Sequence, residues 1–297
     1  MKYALGMDIG GTNIKALAVT RAGRVLADIT TATGDIGKKC WVTNVQSAKE
    51  QIQQTLKEPP IGIGIAAPGL AARDQSSIHN MPGRLPGLEG LVWRKVFDVS
   101  HPVPVLNDGQ AALMGELWRG AARGARNAIL LTLGTGVGGA ALVDGRLLRG
   151  RLGRAGHFGH SSLDPAGRRD IVHTPGSLEE AIGECTIKRR TQGRFNSTQA
   201  LIAACDRNDR KARSVWLNSV KALAAAIASF INVLDPEVVI IGGGVANAGP
   251  GLFRPLKQYL ARFEWRPGGA RARVVPARLG DRAGAFGAAW QALHYQK

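Results

Sequence analysis

The sequence predicts an α/β protein built from two related halves, and three observations lead there. Short β-rich runs alternate with helical periodicities along the chain. Two glycine-rich turns each leave a hydrophobic strand: Asp8-Ile9-Gly10-Gly11-Thr12 follows residues 3–7, and Gly134-Thr135-Gly136-Val137-Gly138-Gly139 follows residues 128–133. Each half opens with a run of three strands that contains one of these turns, which suggests a duplicated unit with a ligand held between the copies.

Taken in order, strands are expected near 3–10, 14–20 and 24–32, where β-branched and aliphatic residues cluster between turn signals. An amphipathic helix over 41–56 is stopped by Pro59-Pro60. A glycine-rich strand follows at 61–67, then a loop to about Pro86, a short helix near 90–97, a strand at 103–106 and a helix over Asp108–Arg119. The second half repeats the opening with strands at 128–133 and 139–143, and Asp144-Gly145 signals a hairpin into 146–149. Residues 150–176 read as irregular. Helices are expected over 178–190, 197–207 and 211–233, then a strand at 238–241, a glycine turn at Gly242-Gly243-Gly244, a helix at 251–263, a strand at 273–277 and a last helix from Ala283.

The 297 residues suffice for two domains, each with its own core, and 44% hydrophobic with 21% charged residues is ordinary for a globular chain. No run approaches the ~20 apolar residues that a membrane span needs, and the N-terminus enters a strand without a signal-peptide pattern. Cys40, Cys185 and Cys205 are odd in number and widely spaced, which reads as reduced thiols of a cytoplasmic protein. Against 22 acidic residues stand 39 Lys and Arg, giving +17, a field that draws polyanions. The arginines are scattered and aromatics are only 5%, so neither a base-reading helix nor a stacking platform for nucleic acid stands out.

Glycines let backbone N–H groups approach a polyphosphate, and Thr12 and Thr135 add hydroxyl donors. Asn107-Asp108 sits where a strand gives way to a helix, the end at which α/β sheets bind ligands. There Asp108 is either a catalytic carboxylate or a helix cap. Asp8 holds a metal's water shell or caps its turn. His157 and His160 flank Phe158-Gly159 in a loop with no cysteine nearby, so zinc is not expected. Glu179 is by default a first-turn acid complementing a helix dipole, and Asn80-Met81-Pro82-Gly83 is first of all a turn.

As an ordered set, Asp8–Thr12, Ala67-Pro68-Gly69, Asn80–Gly83, Leu106–Ala112, Leu133–Gly139, Gly156–His160, Gly176-Ser177-Leu178-Glu179 and Ile241–Gly244 resemble the ROK family (repressor, open reading frame, kinase) from residue 3 to about 290. The resemblance implies an actin-like, ribonuclease H-like ATPase fold with two lobes and a central cleft. It implies a small lobe at 1–108 and a large one at 109–282, with a helix at 283–297 packing back on the first. It further implies a cytoplasmic homodimer that uses ATP and Mg²⁺ to phosphorylate the 6-hydroxyl of a hexose or N-acetylhexosamine. By motif position Asp108 is the general base, and Gly69, Asn80, Asn107, His157, His160 and Glu179 line the sugar. Asp8, Gly10, Gly11, Thr12, Asn13 and Lys15 form one phosphate-binding turn, with Asp8 also holding Mg²⁺ through water. Gly134, Thr135, Gly136 and Gly138 form the other, and Gly243 and Gly244 lie against the adenosine.

Two departures mark this chain. Family members carry Glu at the position of His157, and a similar His-x-Gly-His arrangement occurs in N-acetylmannosamine kinases, which sets that sugar beside glucose as substrate. The family's zinc knuckle uses the second histidine and three cysteines, at positions that hold Asp170, Val172 and Ser177 here. No structural zinc is therefore expected, and Asp170 or His173 is left to orient His160. Two rival functions remain: a polyphosphate-dependent glucokinase, favoured by the charge, and a sugar-sensing or transcriptional regulator. Seven residues ahead of Asp8 are too few for a DNA-reading module, which weighs against the regulator.

Overall fold

The computed structural model describes residues 1–34, 40–81, 83 and 85–295, so Pro82 of the Asn80–Gly83 turn lies outside the described residues. In chain order, β1 (Ala4–Ile9), β2 (Asn13–Val19) and β3 (Val25–Ala32) form an antiparallel meander. There follow α1 (Cys40–Leu56), β4 (Gly62–Ala67), the short pair β5 (Leu70–Ala71) and β6 (Ile78–Asn80), α2 (Trp93–Val96), β7 (Val105–Asn107) and α3 (Asp108–Arg119). A second meander is made by β8 (Ala128–Leu133), β9 (Val137–Val143) and β10 (Arg146–Leu147). After it come α4 (Leu178–Ile182), α5 (Ile187–Arg190), α6 (Thr198–Asp206) and α7 (Arg210–Leu234). The chain closes with β11 (Val238–Gly242), α8 (Pro250–Phe263), β12 (Arg273–Pro276) and α9 (Ala283–His294).

Two compact units emerge, one from residues 1–124, 149–155 and 278 onward, the other from 125–148 and 156–277. The first has a sheet of order β3-β2-β1-β4-β7 and the second one of order β10-β9-β8-β11-β12. In each, the first meander strand also pairs in parallel with the strand after it. This division differs from the boundary expected at 108/109, because α3 travels with the first unit. There α3 is pressed onto α9: a Cβ at Gly287 would collide with the Ala111 carbonyl, and one at Gly115 with the Ala283 carbonyl.

In the first unit, Trp41, Val45, Ala48 and Ile52 recur at helical spacing on α1 and are fully buried with Leu5, Met7, Ile63 and Ile65. Burying each such side chain contributes about 1.5–3 kcal/mol. On α9, Ala285 and Ala289 pack with Ala4 and Leu17. In the second unit, Trp216, Val220, Leu223, Ile227 and Ile231 line the buried face of α7, packed with Ile129, Leu131, Val239 and Ile241. At 25 residues, α7 is long and apolar enough to cross a membrane by length and composition, contrary to the expectation that no run approaches that size. Half of its apolar window is nevertheless buried inside the protein, as in a core helix.

Three elements differ from expectation. The helix expected over 178–190 is interrupted at Gly183, whose backbone is extended (ψ 145°). There Glu184 N–H donates to the Gly134 carbonyl at 2.9 Å instead of continuing the helix. The Arg190 guanidinium holds the break, donating to the Gly183 carbonyl at 3.0 Å and to Ser219 Oγ at 2.7 Å. Within the loop expected before Pro86, β5 and β6 pair over too few residues to carry a periodic signal. Strand β9 begins at Val137, so only three glycine-turn residues lie between it and β8.

Candidate functional site

In the first unit the helix cap is Asn107, not Asp108. Asn107 Oδ1 accepts the N–H groups of Gly109 (2.9 Å) and Gln110 (3.3 Å), while its Nδ2 donates to the Gly69 carbonyl at 2.9 Å. Extended backbone at Asn107 (ψ 148°) ends β7 and turns the chain into α3. Asp108 is thereby released to the first helical position, where it is exposed to solvent and accepts the Gly109 N–H at 2.7 Å. Crowding by surrounding protein nonetheless pushes its pKa above the ordinary carboxylate value, with the hydrogen bonds from Gly109 and Asn107 acting the other way.

Asp8 belongs to the same electrostatic group. It lies one residue before the end of β1, opposite Lys15 in register, and residues directly opposite share one face of the sheet. Burial first, then the Asp108 charge, push the Asp8 pKa up to about 7; Lys15 lowers it and Asp281 raises it. Lys15 Nζ in turn lies 3.5 Å from Asp281 Oδ2. A Cβ at Gly284, near the start of α9, would collide with the Asp8 carboxylate, so glycine there leaves room for it. Asp281 and Gly284 carried no signal in the sequence: neither sits in a recognisable motif, and both are remote from Asp8 in the chain.

Gly10 N–H donates to the Asn13 carbonyl at 3.0 Å, closing the first glycine turn and leaving Gly11, Thr12 and Asn13 exposed. Gly69 has φ +99°, and a Cβ there would collide with the Asn80 carbonyl and Met81, so the Ala67–Gly69 turn and the end of β6 come together. The exposed Asn80 is thus placed beside the turn that Asn107 grips.

In the second unit, Gly134 N–H donates to the Gly136 carbonyl at 2.9 Å, making the second turn. Glu179 Oε2 accepts the Val137 N–H at 2.9 Å, and a Cβ at Gly136 would strike that carboxylate. Ser177 caps α4 through the Glu180 N–H, which places Glu179 in its first turn. A cavity of about 470 Å³ is lined by Gly134, Thr135, Glu184, Thr198, Gly244 and Asn247, among others. Gly243 has φ +84°, and its missing Cβ lets it pass the Leu133 backbone; a Cβ at Gly244 would meet nothing within 4 Å. Glu184, Thr198 and Asn247 were not expected from the sequence, because no motif links the 183–198 stretch to the glycine turns. Gly136, Gly138 and Gly243 lie in the adjoining backbone without lining this cavity.

His157 and His160 bracket a short 3-10 turn over Phe158–His160. Gly159 seats it on β9, since a Cβ there would collide with the Val137 carbonyl, and Phe158 packs against Phe230 of α7 with ring centroids 4.5 Å apart. Burial, then the nearby His160, lower the His157 pKa and favour the neutral imidazole. His160 Nδ1 lies 2.8 Å from Asp170 Oδ2. His173 is exposed, so Asp170 is the group that meets His160.

The ROK family sequence pattern matches residues 4–294. The chain belongs to the ROK family. It is 33% identical to a glucokinase of Halalkalibacterium halodurans, covering 97% of this chain and 94% of that one. It is 30% identical to an N-acetylmannosamine kinase of Yersinia pseudotuberculosis, covering 97% and 98%. A ROK hexokinase structure from Thermus thermophilus superposes with a TM-score of 0.87 at 30% identity, covering 98% of each chain. A ROK glucokinase from Streptomyces griseus, solved with glucose and AMPPNP, gives 0.80 at 28% identity, covering 99% and 100%. The fold is therefore the actin-like ATPase fold of ROK kinases.

Two metals are implied by the family and fare differently. The zinc knuckle does not fit: its cysteine positions hold Asp170, Val172 and Ser177, with no thiolate among them. His160 Nδ1 is already committed to Asp170, and Ser177 Oγ caps α4. Among the described residues no group of three or more His, Cys, Asp and Glu side chains is arranged to hold a metal. Mg²⁺ does fit the first unit, where Asp8 and Asp108 raise a local excess of negative charge that Lys15 offsets only in part. A hard cation with its water shell suits such oxygen donors.

Proposed function

We propose that this ROK sugar kinase transfers the γ-phosphoryl group of ATP to the 6-hydroxyl of a hexose or N-acetylhexosamine, with glucose and N-acetylmannosamine as the leading substrates. The observation that carries the reading is the division of labour at the start of α3: Asn107 satisfies the helix end and leaves the Asp108 carboxylate free to accept a proton. A proton acceptor with a pKa above the ordinary carboxylate value is better matched to a sugar hydroxyl than an unperturbed carboxylate. Bound Mg²⁺ would neutralise phosphate charge, held through water by Asp8.

The remaining roles follow from the same chain. Gly69, Asn80, Asn107, His157, His160 and Glu179 are assigned to the sugar. The turns at Gly10–Lys15 and Gly134–Gly138 are assigned to phosphates through backbone N–H groups, and the 470 Å³ cavity with Gly244 to the nucleoside. Support for substrate class comes from similarity both to a glucokinase and to an N-acetylmannosamine kinase. A coupled ADP-release assay over glucose, mannose, N-acetylmannosamine, N-acetylglucosamine, fructose and glucosamine tests it, with polyphosphate run beside ATP. Turnover of one hexose with ATP is expected; no turnover of any with ATP overturns the reading.

A further inference from the structure

Asp170 is wholly buried at its side chain, while the His160 ring it touches is about a quarter exposed (27%). Its Oδ1 accepts the Val172 N–H at 3.0 Å and the Thr174 N–H at 2.9 Å, leaving Oδ2 for His160. The turn is closed again by Asp170 N–H to the Thr174 carbonyl (2.9 Å) and His173 N–H to the Asp170 carbonyl (3.0 Å). Burial works to raise the Asp170 pKa, but the hydrogen bonds from His160, Thr174, the Ser177 side chain and Val172 outweigh it, and the carboxyl is held below its ordinary value. The residue is therefore fixed in place before any ligand arrives, and it is an acceptor.

We infer that Asp170 is a positioning residue for the sugar site: by accepting a hydrogen bond from His160 Nδ1–H it fixes the ring's orientation and tautomer, so that Nε2 presents a lone pair to a sugar hydroxyl. A neutral imidazole has one donor and one acceptor nitrogen, and an acceptor-only partner decides which is which. The inference rests on the assignment of His160 as a sugar ligand. It predicts that Asp170→Asn is not conservative. An amide can donate to Nδ1 and stabilise the opposite tautomer, turning Nε2 from acceptor to donor.

The test combines sugar kinetics with ¹⁵N-imidazole NMR on the full chain. Wild type should show His160 protonated at Nδ1, and Asp170→Asn should move population to the Nε2–H form. The sugar KM should rise on the order of 10–100-fold in Asp170→Asn and Asp170→Ala, as for other residues that orient a ligating histidine. The ATP KM should stay within twofold and kcat should fall far less than the sugar KM rises. A wild-type His160 protonated at Nε2 overturns the inference whatever the variants do, which covers the case of a variant that does not fold. A sugar KM unchanged in both Asp170 variants, while His160→Ala raises it, overturns the positioning role and leaves the His160 assignment intact. An unchanged KM in His160→Ala as well removes the assignment itself.

Discussion

Glu179 Oε2 accepts the backbone N–H of Val137 at 2.9 Å, so a carboxylate in the first turn of α4 holds the second glycine turn where β9 begins. Val137 is 4% exposed, and an unpartnered N–H there would cost about 1–3 kcal/mol. Glu179→Ala should lower stability by that amount in urea melts. Glu179→Gln keeps an oxygen acceptor and should lose less than about 1 kcal/mol. Sugar affinity, read by calorimetry, should fall in both.

Replacing Asp108 with asparagine removes a proton acceptor without changing volume. Turnover should drop by about 10²–10⁴, the usual contribution of a positioned acid–base group. Sugar binding should remain measurable by calorimetry. The base works only when ionised, so kcat in wild type rises with pH through the Asp108 pKa. Because crowding raises that pKa, the acid limb should lie above the value of about 3.9 for an unperturbed aspartate. A near-normal kcat in Asp108→Asn removes the base assignment.

The parts of the molecule legible in the sequence are those whose cause is local. The α3 start at Asp108 was readable because strand, cap and helix follow one another within a few residues, yet which residue caps was not. Asn and Asp are equally good caps, and the choice is made by the Gly69 carbonyl, which takes the Asn107 amide from 38 residues away. The break at Gly183 was hidden because Leu178, Ile182 and Ile187 are all buried and keep a helix-like apolar spacing across it. What stops the helix is an acceptor at Gly134, brought by another strand. Likewise Asp170 and His173 were equal candidates to orient His160. The turn decides between them by drawing Asp170 inward on two backbone donors and leaving His173 exposed with φ +66°.

Asp8 links the site to stability. Its folded pKa of about 7 exceeds its unfolded value, so between about pH 4 and 7 the folded state binds the extra proton. Stability from this group is therefore greatest below that window and is lost as pH rises through it. Asp8→Asn removes the ionisation and should raise Tm relative to wild type at pH 8 by a few degrees, with the difference shrinking toward pH 4.5. Added Mg²⁺ should recover part of the wild-type loss at pH 8 and do nothing for the variant. Activity of Asp8→Asn should fall regardless. A pH-independent Tm difference would show that the Asp8 pKa does not shift on folding.

Asn107 separates the cap from the chemistry. Asn107→Ala removes both the cap and the donor to Gly69, and should cost about 0.5–2 kcal/mol of stability. Asn107→Asp is the sharper probe. Aspartate caps as well as asparagine, so helix stability should be kept, but it cannot donate to the Gly69 carbonyl and it sets a second negative charge beside Asp108. Like charge disfavours ionisation of its neighbour, so the Asp108 pKa should rise further and the acid limb of kcat should move to higher pH than in wild type. A pH–rate profile measured at saturating sugar and ATP reads that displacement directly. An acid limb unmoved in Asn107→Asp would mean that the ionisation governing turnover belongs to a group other than Asp108.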